Sequence, residues 1–215
     1  MIIMKMKDQK RNFDKEAATW DEHPDRVKLA EDVARAMTQQ VTLKPDMDVL
    51  DFGCGTGLLT LRLAPFVKSV TGTDTSQGML DVLQAKADKQ GQTNVYTRQI
   101  HDSDALPGPY DAIVSSMTFH HIQHVEPLLT QLFQALKMPG YLCVADLDLD
   151  QGEFHEDNTG VFHLGFERTA LHALFRKVGF SGVKEVTATE VKKLTRKGDI
   201  RYFSVFLMIG EKTIR

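Results

Sequence analysis

Cysteine is scarce: Cys54 and Cys143 are the only two in 215 residues. They are too few for a disulfide framework and stand at no spacing used by zinc sites, so a reducing cytoplasm is the expected setting. An excess of charge of one sign is also missing. The formal charge is −3, and no basic stripe with interleaved aromatics is present. This excludes a general electrostatic attraction to nucleic acid or to an anionic membrane. No apolar run approaches the length of a membrane span. The opening Met1 to Lys7 stretch is too short, and too soon interrupted by charge, for a signal peptide. Repeats and low-complexity segments are absent as well. What is present, 42% hydrophobic and 26% charged residues, suits one domain over 1–215 that buries its core without disulfide or metal.

Strand and helix patterns alternate almost to the end, as in a parallel sheet covered on both faces. Helices are expected at Phe13 to Trp20, Arg26 to Met37, 57–65, 76–88, 122–137 and 167–177. In the fifth of these Ile122, Val125, Leu128, Leu129, Leu132, Phe133 and Leu136 recur at helical spacing before Pro139-Gly140. Strands are expected near 49–52, 69–74, 95–100, 110–116, 141–147, 183–190 and 201–210. Only Val191 to Ile200 separates the last two, too short for a crossover helix, so they should pair antiparallel. That connection holds Lys192, Lys193, Arg196 and Lys197, read as a solvated turn or as a meeting point for an anionic substrate.

Val49-Leu50-Asp51-Phe52-Gly53-Cys54-Gly55-Thr56-Gly57 carries the most information. An apolar strand runs into three alternating glycines, which allow a tight turn with backbone pressed against a ligand. Leu58 stands where the dinucleotide fingerprint G-x-G-x-x-G needs its third glycine. Asp51 would repel a pyrophosphate but suits a ligand with an ammonium and a sulfonium, such as S-adenosylmethionine (SAM). The stretch resembles the first motif of class I SAM-dependent methyltransferases, V-L-D-x-G-C-G-T-G. The resemblance is good over about 45–147 and looser at the final hairpin. It implies an α/β, Rossmann-like doubly wound fold with a seven-stranded sheet in the order 3-2-1-4-5-7-6, the last strand antiparallel. It also implies that SAM is the cofactor and S-adenosylhomocysteine (SAH) the product.

Asp74 ends the second strand, a βαβ unit beyond Asp51, where a carboxylate accepts both ribose hydroxyls. In the resembling family an acidic residue four before a Leu-Pro pair accepts the adenine amino group, and here that position is Asp102. The implied cofactor contacts are Asp51, Gly53, Cys54, Gly55, Thr56, Gly57, Asp74, Thr75, Asp102, Ser103, Ser116 and Met117. Residues 1–40 are expected to form a helical lid. Trp20 then covers the cofactor or a substrate ring, unless it packs simply on the sheet.

Methyl transfer needs an in-line nucleophile and, for an alcohol or phenol, a base, usually histidine at neutral pH. Six of the eight histidines fall between 101 and 163. His120 and His121 follow the fourth strand, where many small-molecule members of the resembling family carry a His-His pair. Both are candidate catalytic groups, with helix capping and local packing as the alternative. A second constellation runs from Asp146 through Asp148 and Asp150 to His155 and His163. It is read as a substrate-shaping loop over 148–166, with Asp146, Asp148, His155 and His163 as substrate contacts, or as a solvated acidic loop. Its spacing lacks the glycine and distal glutamate of a calcium loop, and no metal is expected.

The N-P-P-Y and Pro-Cys sequences of enzymes that methylate nucleic acids or protein amides are absent. The expected acceptor is therefore a small molecule, methylated at oxygen or nitrogen rather than carbon, with no nucleic-acid or membrane partner. Two other classes remain open at this level. One is a silent SAM-binding module. The other is a nucleotide-dependent oxidoreductase, which Asp51 and the missing glycine disfavour.

Overall fold

A computed structural model describes residues 11–101, 104–195 and 198–213. A short helix α1 (Phe13–Glu16) and a 3-10 segment (Ala17–Glu22) lead into α2 (Pro24–Gln40). There follow β1 (Asp48–Phe52), α3 (Thr60–Leu63) with a 3-10 turn, β2 (Ser69–Asp74), α4 (Gln77–Lys89), β3 (Val95–Gln99) and β4 (Tyr110–Ser116). After a 3-10 turn (Phe119–His121) come α5 (Val125–Ala135), β5 (Leu136–Leu147), α6 (Arg168–Val178), β6 (Ser181–Leu194) and β7 (Ile200–Lys212). The strands form one sheet in the order β3-β2-β1-β4-β5-β7-β6, with only β7 antiparallel to its neighbours. Order and direction are those expected from the sequence.

Side chains alternate across the sheet and build a separate apolar layer on each face. Val49, Ala112, Val114, Cys143, Ala145, Val205 and Leu207 face one layer, shared with α2, α3 and α4. Leu50, Ile113, Leu142, Val144, Phe206 and Met208 face the other, closed by α5 and α6. Each fully buried Leu, Ile or Val contributes roughly 1.5 to 3 kcal/mol, so the central strands carry most of the fold's stability.

Several boundaries differ from those expected. The helix expected at 122–137 starts at Val125, because residues 119–121 turn tightly and Ile122 is extended. It stops at Ala135, because Leu136 already pairs with Tyr110 as the first residue of β5. The hairpin strands run deep into the expected connection, so Lys192 and Lys193 belong to β6 and pair with Tyr202 and Arg201. Arg196 and Lys197 lie outside the described residues. Residues 24–40 are no lid: α2 buries Leu29, Val33 and Met37 against the sheet, and its Asp32 accepts a hydrogen bond from Thr189 of β6 at 2.7 Å. Within the first forty residues, the described segment 11–22 reaches the carboxyl edge of the sheet, where Asp14 and Asp21 bond to Ser76 and Thr56.

The chain winds outward from β1 toward β3, then in the opposite sense from β4. The crevice at this reversal lies beyond Phe52 and Ser116, where open α/β sheets place their ligands.

Candidate active site

The glycine loop is tied to the neighbouring strand end by its own backbone. Gly53 and Cys54 donate their N–H groups to the Thr73 carbonyl at 2.8 and 3.0 Å. Gly55 N–H donates to one Asp74 oxygen at 2.9 Å, and Ser76 N–H to the other at 2.9 Å. A carboxylate has about four acceptor sites, so these two hydrogen bonds leave it capacity for a further donor. The glycines divide the work. A Cβ at Gly57 would overlap Leu83, and one at Gly53 would overlap Thr118, so these two positions serve close packing. Gly55, at φ +52°, has no atom within 4 Å of the place a Cβ would take. Its open side is a cradle for something else.

Asp51 is buried and accepts the Thr60 hydroxyl at 2.6 Å. Burial, reinforced by the negative charge of Asp74, pushes its carboxyl up to about 7 despite that hydrogen bond. Burial also raises Asp74, against the pull of the Ser76, Gly55 and Thr75 N–H groups. Two carboxyls held under strain in a nearly dry crevice favour a cationic guest. The Cys54 thiol points away from the cradle, beside Gly72, and burial pushes its pKa well above the ordinary thiol value. It contributes backbone only. Thr75 is exposed, and its carbonyl accepts the Gln99 amide. Asp102 and Ser103 lie outside the described residues.

Residues 11–22 cross this crevice as a strap, held by acids that sequence patterning did not single out. Asp14 accepts from the Ser76 hydroxyl at 2.7 Å and from Gly78 N–H at 2.8 Å. Asp21 accepts from the Thr56 hydroxyl at 2.6 Å and pairs with Lys86. Thr56 is therefore a latch for the strap. The Arg26 guanidinium stacks 3.7 Å above Trp20, so one face of that ring is covered from within the chain.

Beyond β4 the backbone enters a rare conformation. Met117, at φ 55°, is the one non-glycine residue with positive φ among the described residues, a strain of order 1 to 3 kcal/mol that collects at functional sites. Thr118 then donates its hydroxyl to the carbonyls of Gly53 and Ser116, both at 3.1 Å, which fixes the following turn beside the glycine loop. That turn buries His120 to 1% exposure, with Nδ1 2.7 Å from an oxygen of Asp146 at the end of β5. Asp146 also accepts the backbone N–H groups of His120 and Leu147. Burial opposes its charge, but the neighbouring His120 and these hydrogen bonds hold its carboxyl below the ordinary range. An ionised carboxylate only accepts, so Nδ1 carries a proton and Nε2 is the ring atom left over. Nε2 is buried and has no hydrogen-bond partner.

His121 and His155 flank this ring, with centroids 4.2 and 5.0 Å away. His121 donates from Nδ1 to the Gly160 carbonyl at 2.7 Å. Burial and the neighbouring positive groups lower His121 to about 4 and His155 to about 3, so both stay neutral at physiological pH.

The remaining acidic and histidine candidates are not brought to this centre. Asp148 is gripped by Arg168 through two hydrogen bonds of 2.7 and 2.6 Å. Asp150 turns onto the backbone of Gly152 and Phe154. His163 donates Nε2–H to the Ile122 carbonyl at 2.9 Å and stacks on Phe166, so it braces the loop. No cluster with metal-holding geometry occurs among the described residues.

Residues 22–185 match the family model described as a methyltransferase domain. An uncharacterized methyltransferase of Schizosaccharomyces pombe is 31% identical over 179 residues, 75% of this chain and 63% of that protein. The chain spans between half and two thirds of the length of the first curated relatives it matches. Among solved structures, the YcgJ protein of Bacillus subtilis superposes with a TM-score of 0.70 at 18% identity, covering 85% of this chain and 99% of its own. The phosphoethanolamine N-methyltransferase 2 of Haemonchus contortus, bound to SAH and phosphomonomethylethanolamine, gives 0.67 at 16% identity, covering 84% and 52%. At such identities these two structures establish the fold alone.

Proposed function

The chain belongs to the class I SAM-dependent methyltransferases, and on that premise we propose that it methylates a small-molecule acceptor at oxygen or nitrogen, with His120 as the base. The crevice fits the cofactor by two measures. Gly55 leaves open the volume that backbone approach to a ligand requires, and Asp74 retains acceptor capacity for ribose hydroxyls. Bound there, SAM supplies an electrophilic methyl group on a sulfonium that is already a good leaving group.

The chain's own residues then have four tasks. Asp74 and the glycine-loop backbone orient the ligand. Asp51 contributes negative charge from beneath the loop, through the field rather than through a contact. The strap of residues 11–22 excludes water, which strengthens every charge interaction inside. Asp146 acts as a positioning residue: it fixes the tautomer of His120 so that Nε2 receives the acceptor's proton. The observation that carries this assignment is the buried, unpartnered Nε2 itself. A polar atom left in that state costs about 1 to 3 kcal/mol, so its presence calls for a functional reason.

The test is SAH formation against a panel of phenols, acids, alcohols and amines. His120→Ala should leave SAH affinity unchanged by calorimetry while turnover drops roughly a hundredfold, the lower range for a general base. Undiminished turnover in that variant would remove His120 from the role. Absence of SAH binding by the parent chain would remove the whole reading.

A further inference from the structure

A series of ring contacts runs past His120, and it begins and ends on a cation. On one side Arg26 stacks on Trp20, Trp20 meets Phe13 edge-on at 5.9 Å, and Phe13 meets His121 at 5.4 Å. On the other side His155 meets Phe154 at 4.9 Å, and the Lys193 ammonium lies 4.3 Å from the Phe154 ring. Arg11 sits beside the middle of the series, 5.4 Å from Phe13. These residues come from the strap, α2, the turn after β4, the 148–166 segment and β6. The fold has gathered three cations around one base.

Two of them, Arg26 and Lys193, are not paired with the surrounding acids. Glu16 is spent in a bidentate pair with Arg11 and Asp21 is paired with Lys86, while Asp146 is engaged by His120 behind the ring. Asp25 and Glu156, whose charges also reach Lys193, are exposed to water, which screens them. Among the described residues neither Arg26 nor Lys193 has a carboxylate partner. Each donates only to a backbone carbonyl, Arg26 to Trp20 at 3.2 Å and Lys193 to Phe154 at 2.7 Å. Both are half-buried, and burial lowers both pKa values, although the charges of Glu16 and Asp21 also reach Arg26. Histidines 121 and 155 remain neutral and add no charge.

We propose that the acceptor carries a carboxylate or phosphate group, and that Arg26 and Lys193 bind it while His120 Nε2 faces the atom to be methylated. This rests on the methyl-transfer reading above and adds the substrate's charge to it. The two cations are near enough for the charge of Arg26 to reach Lys193, which stands on β6, at the sheet edge opposite the strands that hold Asp51 and Asp74.

Inorganic phosphate and malonate serve as probes, titrated into SAH-saturated protein and read by the fluorescence of Trp20, the only tryptophan. Saturable binding is expected. Lys193→Gln and Arg26→Gln should each weaken it about tenfold, the scale of one charge-assisted hydrogen bond, whereas Lys89→Gln on the exposed face of α4 should not. Calorimetry should show the parent affinity for SAH in both test variants, which also establishes that they are folded. Normal SAH binding with no saturable anion response, or with equal responses in all variants, would overturn the inference and leave the methyl-transfer reading standing. Lost SAH affinity in the two variants would overturn it differently, by assigning the cations to the cofactor's own carboxylate. Failure of the parent chain to bind SAH would defeat the methyl-transfer reading itself, and this inference with it.

Discussion

Cofactor binding should expel a proton, and the source should be Asp51. Its carboxyl stands at about 7 in the ligand-free crevice, against an ordinary 3.8, because charge is expensive there. A sulfonium and an ammonium arriving nearby reverse that preference. If the bound value falls to the ordinary range, about 0.9 proton leaves at pH 6.0, and SAM affinity drops about eightfold between pH 6.5 and 5.5. An α-amino group, at about 7.7 to 8.0, is charged throughout that interval. His121 and His155, at about 4 and 3, are neutral throughout it. Calorimetry at pH 6.0 in buffers of different ionisation enthalpy counts the proton directly. Asp51→Asn should abolish the release, flatten the pH dependence and weaken binding. The same change should help the empty protein. A carboxyl raised in the folded state adds stability that is complete below the unfolded value of 3.8 and is lost as pH climbs through about 7. At pH 8 the ligand-free Asn variant should therefore be more stable by roughly 1 to 3 kcal/mol. A binding enthalpy independent of buffer would refute the reasoning. Full release from the Asn variant would move the proton to Asp74, which is raised as well.

Gly57→Ala should lower the melting temperature sharply through its overlap with Leu83, whereas Gly55→Ala should cost only about 1 kcal/mol of backbone strain yet abolish SAH binding. Thermal melts with and without SAH separate the two. Asp74→Ala should weaken SAM by about 1.5 to 3 kcal/mol, and calorimetry giving the parent affinity would cancel the ribose assignment. Asp146→Asn should destabilise the fold by roughly 2 to 4 kcal/mol in urea titrations at pH 7. Since the Asp146 carboxyl is held below its ordinary range, its contribution is present above the unfolded value and vanishes as pH falls. The gap between variant and parent should therefore close on acidification, and a gap that stays constant to pH 3 would contradict the pairing.

The sheet was legible because its strands are apolar on both faces and its first loop is chemically unusual. Val49 to Gly57 and Asp74 fall where the motif and one βαβ unit put them, and the short link before β7 dictated its direction. The boundaries of α5 were not legible, because Ile122 and Leu136 continue the helical period while serving an extended link and a strand. The acidic run misled for a related reason. Regular spacing placed Asp146, Asp148 and Asp150 together, but each found a different partner. Arg11, Arg26 and Lys193 have no common pattern in the chain. Only the fold brings them to one series of rings.

The strap adds a consequence for kinetics. Asp14 and Asp21 together engage four donors, on α4 and on the glycine loop, so any molecule entering or leaving the crevice must first wait for those grips to let go. Ligands of quite different chemistry should then share one unimolecular admission rate, set by the peptide that bars the doorway.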